Sequence, residues 1–204
     1  HSLSRRQRQM CIRDSYEGVQ VPIDAALRIE ARYFTKVVMD PRSQNMVRSL
    51  FVNMQALSKG ARRPKDFDKY DVKKIGILGA GLMGAGIAYV TAKAGIEVVL
   101  IDMDQAAAEK GKEYSTKILD KQLSKKKTTE EKKEKLLSLI TPTTDYSLLK
   151  GADLIVEAVF ENRDIKADVT AKAEEQISET AVFGSNTSTL PITGLAQNSS
   201  RPAN

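Results

Sequence analysis

The sequence predicts an α/β fold: a doubly wound parallel sheet with a helical hairpin insertion, preceded by a two-helix linker. Three observations carry this. Five short apolar runs, at 72–78, 97–102, 139–144, 153–159 and 180–184, are separated by stretches of helical spacing, the alternation that builds parallel sheets. The first run passes directly into a glycine-rich turn, Ile75-Gly-Ile-Leu-Gly-Ala-Gly-Leu-Met-Gly-Ala-Gly86, and then an alanine-rich helix. The second run ends in a carboxylate, Asp102, 23 residues after Gly79.

Taken in order, residues 1–15 hold four arginines and one aspartate, half of the formal charge of +6. They have neither helical nor strand periodicity and are read as a non-native, disordered appendage. From Tyr16 to about Lys65 the pattern is two helices. Ile23, Leu27, Ala31, Phe34 and Val38 share one face, and Met46, Val47, Leu50, Phe51, Met54 and Leu57 another. Pro22 suits a first helical turn, and Asp40-Pro41 breaks the run because proline lacks a donor and disfavours helix before it. Two such helices cannot make a core alone, so they are read as a connector needing a neighbouring surface. Residues 58–71 are polar, with Gly60 and Pro64, and place a domain boundary there. The predicted organisation is therefore 1–15 appendage, 16–71 helical linker and 72–204 α/β domain.

Within that domain, Val72–Leu78 is the first strand and Leu82 to Gly95 a helix with Gly95 as its stop. Glu97–Asp102 is the second strand. Asp104 to Ile140 reads as a charged helical hairpin, its second helix starting at Thr128 or Thr129. Leu139–Thr144, Asp153–Val159 and Thr180–Gly184 are the remaining strands, with a helical turn at Tyr146–Lys150 and helices at 164–177 and after Pro191.

Strand, glycine turn, helix, strand and acid in this order form the Rossmann-type dinucleotide-binding unit. Gly79 would allow the tight turn, Gly81 the approach of a pyrophosphate, and Gly84 close packing of helix on strand. Asp102 would hold the adenosine ribose, and its carboxylate would repel a 2′-phosphate, so NAD is predicted over NADP. The bland alternative leaves the glycines making only a turn and Asp102 only capping the next helix. Ligands in such sheets gather beyond the carboxyl ends of strands, which makes Glu161 and Lys166 candidates by position, although Lys166 also suits a helix surface. Ser185-Asn-Thr-Ser-Thr189 suits either hydrogen bonding to a ligand or capping the helix that Pro191 begins. Lys125–Lys127 suits either a solvated hairpin tip or the phosphates of a carrier such as coenzyme A.

Composition excludes other classes. With 41% hydrophobic and 28% charged residues the chain is globular in type. No apolar run approaches the ~20 residues of a membrane span. One cysteine, Cys11, leaves no internal disulfide or cysteine-based metal site, and no metal is expected. The sole histidine is His1. The lysine run lacks the interleaved aromatics of a nucleic-acid patch.

Gly79-Ala-Gly-Leu-Met-Gly84, Asp102, Val156-Glu-Ala-Val-Phe-Glu-Asn162 with Lys166, and Ser185-Asn-Thr-Ser188 together resemble the 3-hydroxyacyl-CoA dehydrogenases of fatty-acid β-oxidation. The helical pair, including Arg32-Tyr-Phe-Thr-Lys-Val-Val38, resembles the connector of the bacterial multifunctional form, the α-subunit type. The resemblance implies oxidation of a (3S)-hydroxyacyl-CoA to the 3-oxoacyl-CoA with NAD as cofactor. It places NAD contacts on Gly79, Ala80, Gly81, Leu82, Met83, Gly84, Asp102, Val159, Phe160, Glu161, Lys166 and Ser188. Ser188 would also orient the substrate oxygen, with Asn186 in support, and Lys125 would meet coenzyme A. It further implies an upstream enoyl-CoA hydratase domain, a downstream helical dehydrogenase domain, a possible thiolase partner and a bacterial cytoplasmic location. The family's general base is a histidine in a His-Phe-Phe motif beyond Asn204, so the fragment alone is expected to be inactive. The alternatives are another β-hydroxyacid dehydrogenase or a non-catalytic, structural NAD-binding relative.

Overall fold

The computed structural model describes residues 16–66 and 70–202, and the chain divides into two compact units between Lys69 and Tyr70. The appendage at 1–15, with His1 and Cys11, lies outside the described residues, as does Asn204.

The first unit is helical. Helix α1, Ile23–Val38, begins directly after Pro22. Asp40 then ends one helix and starts the next. Its Oδ1 accepts the Arg42 amide at 2.9 Å, capping α2, Pro41–Val47. The second helix is not one regular α-helix as the periodicity suggests. A π-helical stretch, Arg48–Asn53, separates α2 from α3, Met54–Ser58, widening the turn where the apolar positions Leu50 and Phe51 fall. No residue of these helices is buried; Phe34, Phe51 and Met54 are all more than half exposed.

The second unit is a five-stranded parallel sheet in the order β3-β2-β1-β4-β5. Its strands are β1 (Lys74–Leu78), β2 (Glu97–Ile101), β3 (Ile140–Thr143), β4 (Leu154–Glu157) and β5 (Val182–Ser185). Because both faces are covered, the inner strands read as unbroken apolar runs. Ile75, Ile77, Val98, Leu100 and Ile140 pack with Ala88 and Ala92 on one face. Leu78, Val99, Ile101 and Ile155 pack with Leu149, Val169 and Ala173 on the other. The small residues at 85, 88 and 92 let helix α4, Leu82–Lys93, lie close on the sheet; the helix stops at Gly95, whose φ is +86°.

The β1 ladder starts at Lys74, two residues later than the apolar run suggests. The Asp153 carboxylate takes the Lys73 and Lys74 amides at 2.7 and 3.0 Å and the Tyr70 hydroxyl at 2.7 Å. These donors, the Lys73 amide foremost, hold Asp153 below the ordinary carboxylate range.

The insertion is the hairpin α5 (Gln105–Ser124) and α6 (Glu130–Ser138). Thr129 caps α6, and Lys133 bridges back to Asp120 at 2.8 Å. A 3-10 turn at Tyr146–Leu149 precedes β4; α7 (Arg163–Glu174) and α8 (Ile192–Ala196) complete the unit. Helix α7 begins one residue earlier than its spacing suggests, because the Asn162 side chain caps the Asp164 and Ile165 amides.

Candidate functional site

Strand order reverses between β1 and β4: β2 and β3 extend to one side of β1, β4 and β5 to the other. A crevice forms where two neighbouring strands send their connections to opposite faces, and the candidate residues collect there.

The glycine turn forms one wall. Gly79 has φ +95°, and a Cβ on it would lie 2.6 Å from the Ala158 oxygen and 2.9 Å from the Val159 nitrogen. The turn after β1 thus lies directly against the end of β4. A Cβ on Gly84 would lie 1.8 Å from the Gly79 oxygen, so only glycine lets α4 start this close to the strand. Gly81 is different. Its φ is −65° and a Cβ there meets nothing within 4 Å. No side chain caps the first turn of α4, Leu82 and Met83 are exposed, and the helix start faces open space with its N–H groups unpaired by side chains.

Asp102 forms the second wall. Its Oδ2 accepts the Ala80 amide at 2.6 Å and its Oδ1 the Met103 amide at 2.7 Å. The cap of α5 is Asp104, which takes the Ala107 amide at 2.7 Å. Asp102 is therefore not a helix cap; it ties the glycine turn to the end of β2 and keeps further lone pairs available beside it.

The third wall joins β4 to β5. Glu161 Oε1 accepts the Ser188 amide and Oε2 the Thr189 hydroxyl, both at 3.3 Å. Ser185 donates to Glu157 Oε2 at 2.7 Å and shares a 2.7 Å bond with Thr187. None of these side chains caps α8, whose N-cap is Pro191 with no side-chain bond, so the capping alternative does not hold. The Ser188 hydroxyl has no hydrogen-bond partner among the described residues. Asn186 and Phe160 are exposed nearby in the chain.

Two candidates stand apart. Lys166 is 3% exposed, and its ammonium lies 2.8 Å from Glu157 Oε1, inside the fold. Lys125 follows the last residue of α5, about 30 Å along that helix from its Asp104 end. The structure brings it to the hairpin tip and into no contact with the crevice residues.

Two residues that sequence reading passes over also shape the crevice. Gly111, inside α5, would place a Cβ 2.6 Å from Ala80 Cβ and 2.8 Å from Ala80 O, so it gives the glycine turn its backing. A glycine inside a helical pattern is the signal that marks such a contact. Glu157 is 1% exposed; a carboxylate within an apolar run was its signal.

A bare-backbone turn, a helix N-terminus and a carboxylate on the neighbouring strand end fit a dinucleotide: anionic phosphates at the first, a ribose at the second. The fold and crevice define a nucleotide-binding domain of the dehydrogenase type. The family model described as 3-hydroxyacyl-CoA dehydrogenase, NAD binding domain, matches residues 74–204, and the chain belongs to that family, whose cofactor is NAD. Over 183 residues it is 40% identical to the fatty acid oxidation complex subunit alpha of Pseudomonas syringae, covering 89% of this chain and 25% of that protein. Among solved structures, the (S)-3-hydroxybutyryl-CoA dehydrogenase of Ralstonia eutropha aligns with a TM-score of 0.62 and 38% identity, over 65% of this chain and 47% of that one. The dehydrogenase part of a multifunctional enzyme from C. elegans aligns at 0.58 and 30%, over 67% and 31%. The chain thus spans a quarter of the length of the curated relative and under half of the solved ones. Among the described residues no helix is long and apolar enough to cross a membrane.

Proposed function

We propose that this chain is the cofactor-holding part of an enzyme that oxidises (3S)-hydroxyacyl-CoA to 3-oxoacyl-CoA in fatty-acid breakdown. The observation that carries the reading is the crevice at the β1/β4 reversal, where the open Gly81 backbone, the uncapped start of α4 and Asp102 converge.

In this reading Gly79–Gly84 hold the pyrophosphate by backbone amides, with Leu82 and Met83 bordering it. Asp102 accepts hydrogen bonds from the ribose hydroxyls and disfavours a 2′-phosphate. Val159, Phe160 and Glu161 line the β4 side of the groove. Ser188, its hydroxyl unpartnered and its backbone held by Glu161, orients the substrate oxygen, with Asn186 beside it. When bound, NAD accepts the hydride. The chain's own part is to hold both partners in register, which turns a bimolecular encounter into an oriented one. Lys125 meets the coenzyme A moiety only if that long ligand reaches the hairpin tip.

We place the chain between an enoyl-CoA hydratase domain and a helical dehydrogenase domain, with the helices of 16–71 as connector, in a bacterial cytoplasmic enzyme that works with a thiolase. The general base is a histidine that residues 16–202 do not contain. Thermal-shift and turnover measurements with NAD test this: 3-hydroxybutyryl-CoA should stabilise the NAD-loaded chain while a free 3-hydroxy acid does not, and turnover should be near zero. Stabilisation by the free acid alone, or rapid turnover, would count against the assignment.

A further inference from the structure

Lys166 and Glu157 form a buried ion pair beneath the crevice, with side-chain exposures of 4% and 2%. Glu157 is the last residue of β4, and every bond it makes joins parts that border the groove. Its Oε1 accepts the Val159 amide and the Lys166 ammonium, each at 2.8 Å. Its Oε2 accepts the Ser185 hydroxyl at 2.7 Å, and its backbone oxygen accepts the Asn186 amide at 2.7 Å. Lys166 adds a 3.4 Å bond to the Val159 oxygen. The Val159 nitrogen is the atom that a Cβ on Gly79 would meet. One buried carboxylate therefore fixes the β4 backbone against the glycine turn and, through Ser185, the loop that carries Asn186 and Ser188.

A buried ion pair is a weak source of net stability, because desolvation offsets most of the attraction, but it fixes geometry strongly. With both partners out of solvent, the ammonium has no path to a ligand lying in the groove. We infer that Lys166 and Glu157 are positioning residues: Lys166 acts on the cofactor only through Glu157, by holding the carboxylate that sets the Val159 and Ser185–Ser188 backbones. This rests on the NAD-binding reading above and assigns Lys166 a different role from a direct cofactor contact.

The test is a double-variant cycle on the full chain, read two ways. NADH dissociation constants are measured by fluorescence titration for the wild type, Lys166→Met, Glu157→Gln and the double variant, with urea midpoints alongside. Lys166→Met should weaken NADH about tenfold in the wild-type background and less than about twofold in the Glu157→Gln background, the signature of residues acting as a unit. Equal losses in both backgrounds would overturn the inference, because Lys166 would then meet the cofactor independently. A buried charge left alone can unfold the chain, so Ser185→Ala supplies a milder change read without ligand. Removing that donor should shift the Val159 amide resonance through Glu157 while the Gly79 and Gly81 amides stay in place; an unmoved Val159 amide would overturn it. A folded chain that shows the Val159 shift yet binds no NADH would refute the functional reading and leave the positioning contact supported.

Discussion

Gly81→Ala separates the groove from the fold. The backbone at Gly81 is one that alanine adopts freely, and its Cβ would meet nothing within 4 Å. Loss of glycine's freedom in the unfolded chain should stabilise by about 0.4–1 kcal/mol. Alanine is a poorer N-cap by a few tenths to about 1 kcal/mol, which offsets that gain. The urea midpoint should therefore move by less than about 0.5 M. The new methyl would stand where the pyrophosphate approaches, an overpacking worth about 1–3 kcal/mol, so NADH affinity should fall about five- to 150-fold. Gly84→Ala is the control: its Cβ would lie 1.8 Å from the Gly79 oxygen. A backbone atom cannot step aside, so that variant should lose about 3 kcal/mol or more. NADH titrations and urea curves on both variants decide it. A Gly81→Ala chain that binds NADH within about twofold of wild type would refute the reasoning.

Three further outcomes follow from the same contacts. Gly111→Ala should cost about 1–3 kcal/mol in urea unfolding and weaken NADH, since its Cβ would push on Ala80, whose amide Asp102 holds. Asp102→Asn should narrow the preference for NADH over NADPH about tenfold or more, as a charge-assisted acceptor is replaced by a neutral one; a comparison of the two dissociation constants measures it. Asp153→Asn should destabilise by about 1–2 kcal/mol at pH 7, allowing for the exposure of that carboxylate. Because the folded chain lowers the pKa of Asp153, its contribution is present above the ordinary value of 3.8 and is lost as pH falls from there through the lowered one. The stability gap between wild type and variant should accordingly close in acid, as urea curves from pH 7 to 3 would show.

The sheet was legible in the sequence because buried parallel strands are continuous apolar runs, and Ile75–Leu78 and Val98–Ile101 run unbroken into a glycine turn and a carboxylate. Asp40-Pro41 and Gly95 marked helix ends through backbone chemistry that acts locally. What local pattern could not supply was partnership across the fold. The spacing of Lys166 places it on a helix face, but only the packing of α7 on β4 shows that its ammonium meets Glu157. Gly111 and Ala80 are far apart in sequence, so the contact that needs a glycine there is invisible until α5 lies against the turn. The serines and threonines of 185–189 satisfied two readings equally; the carboxylates of Glu157 and Glu161 decided between them. The π-helical stretch at Arg48–Asn53 left no mark on a pattern of apolar spacings.

The central claim is that the crevice at the β1/β4 reversal holds NAD. Titration of the chain with NADH and with NADPH, followed by cofactor fluorescence, tests it most directly. The account predicts saturable binding of one NADH per chain, weaker for NADPH by about tenfold or more because of Asp102, and lost in Gly81→Ala. A folded chain that binds neither cofactor, or binds NADH equally well with Gly81→Ala and Asp102→Asn in place, would contradict it.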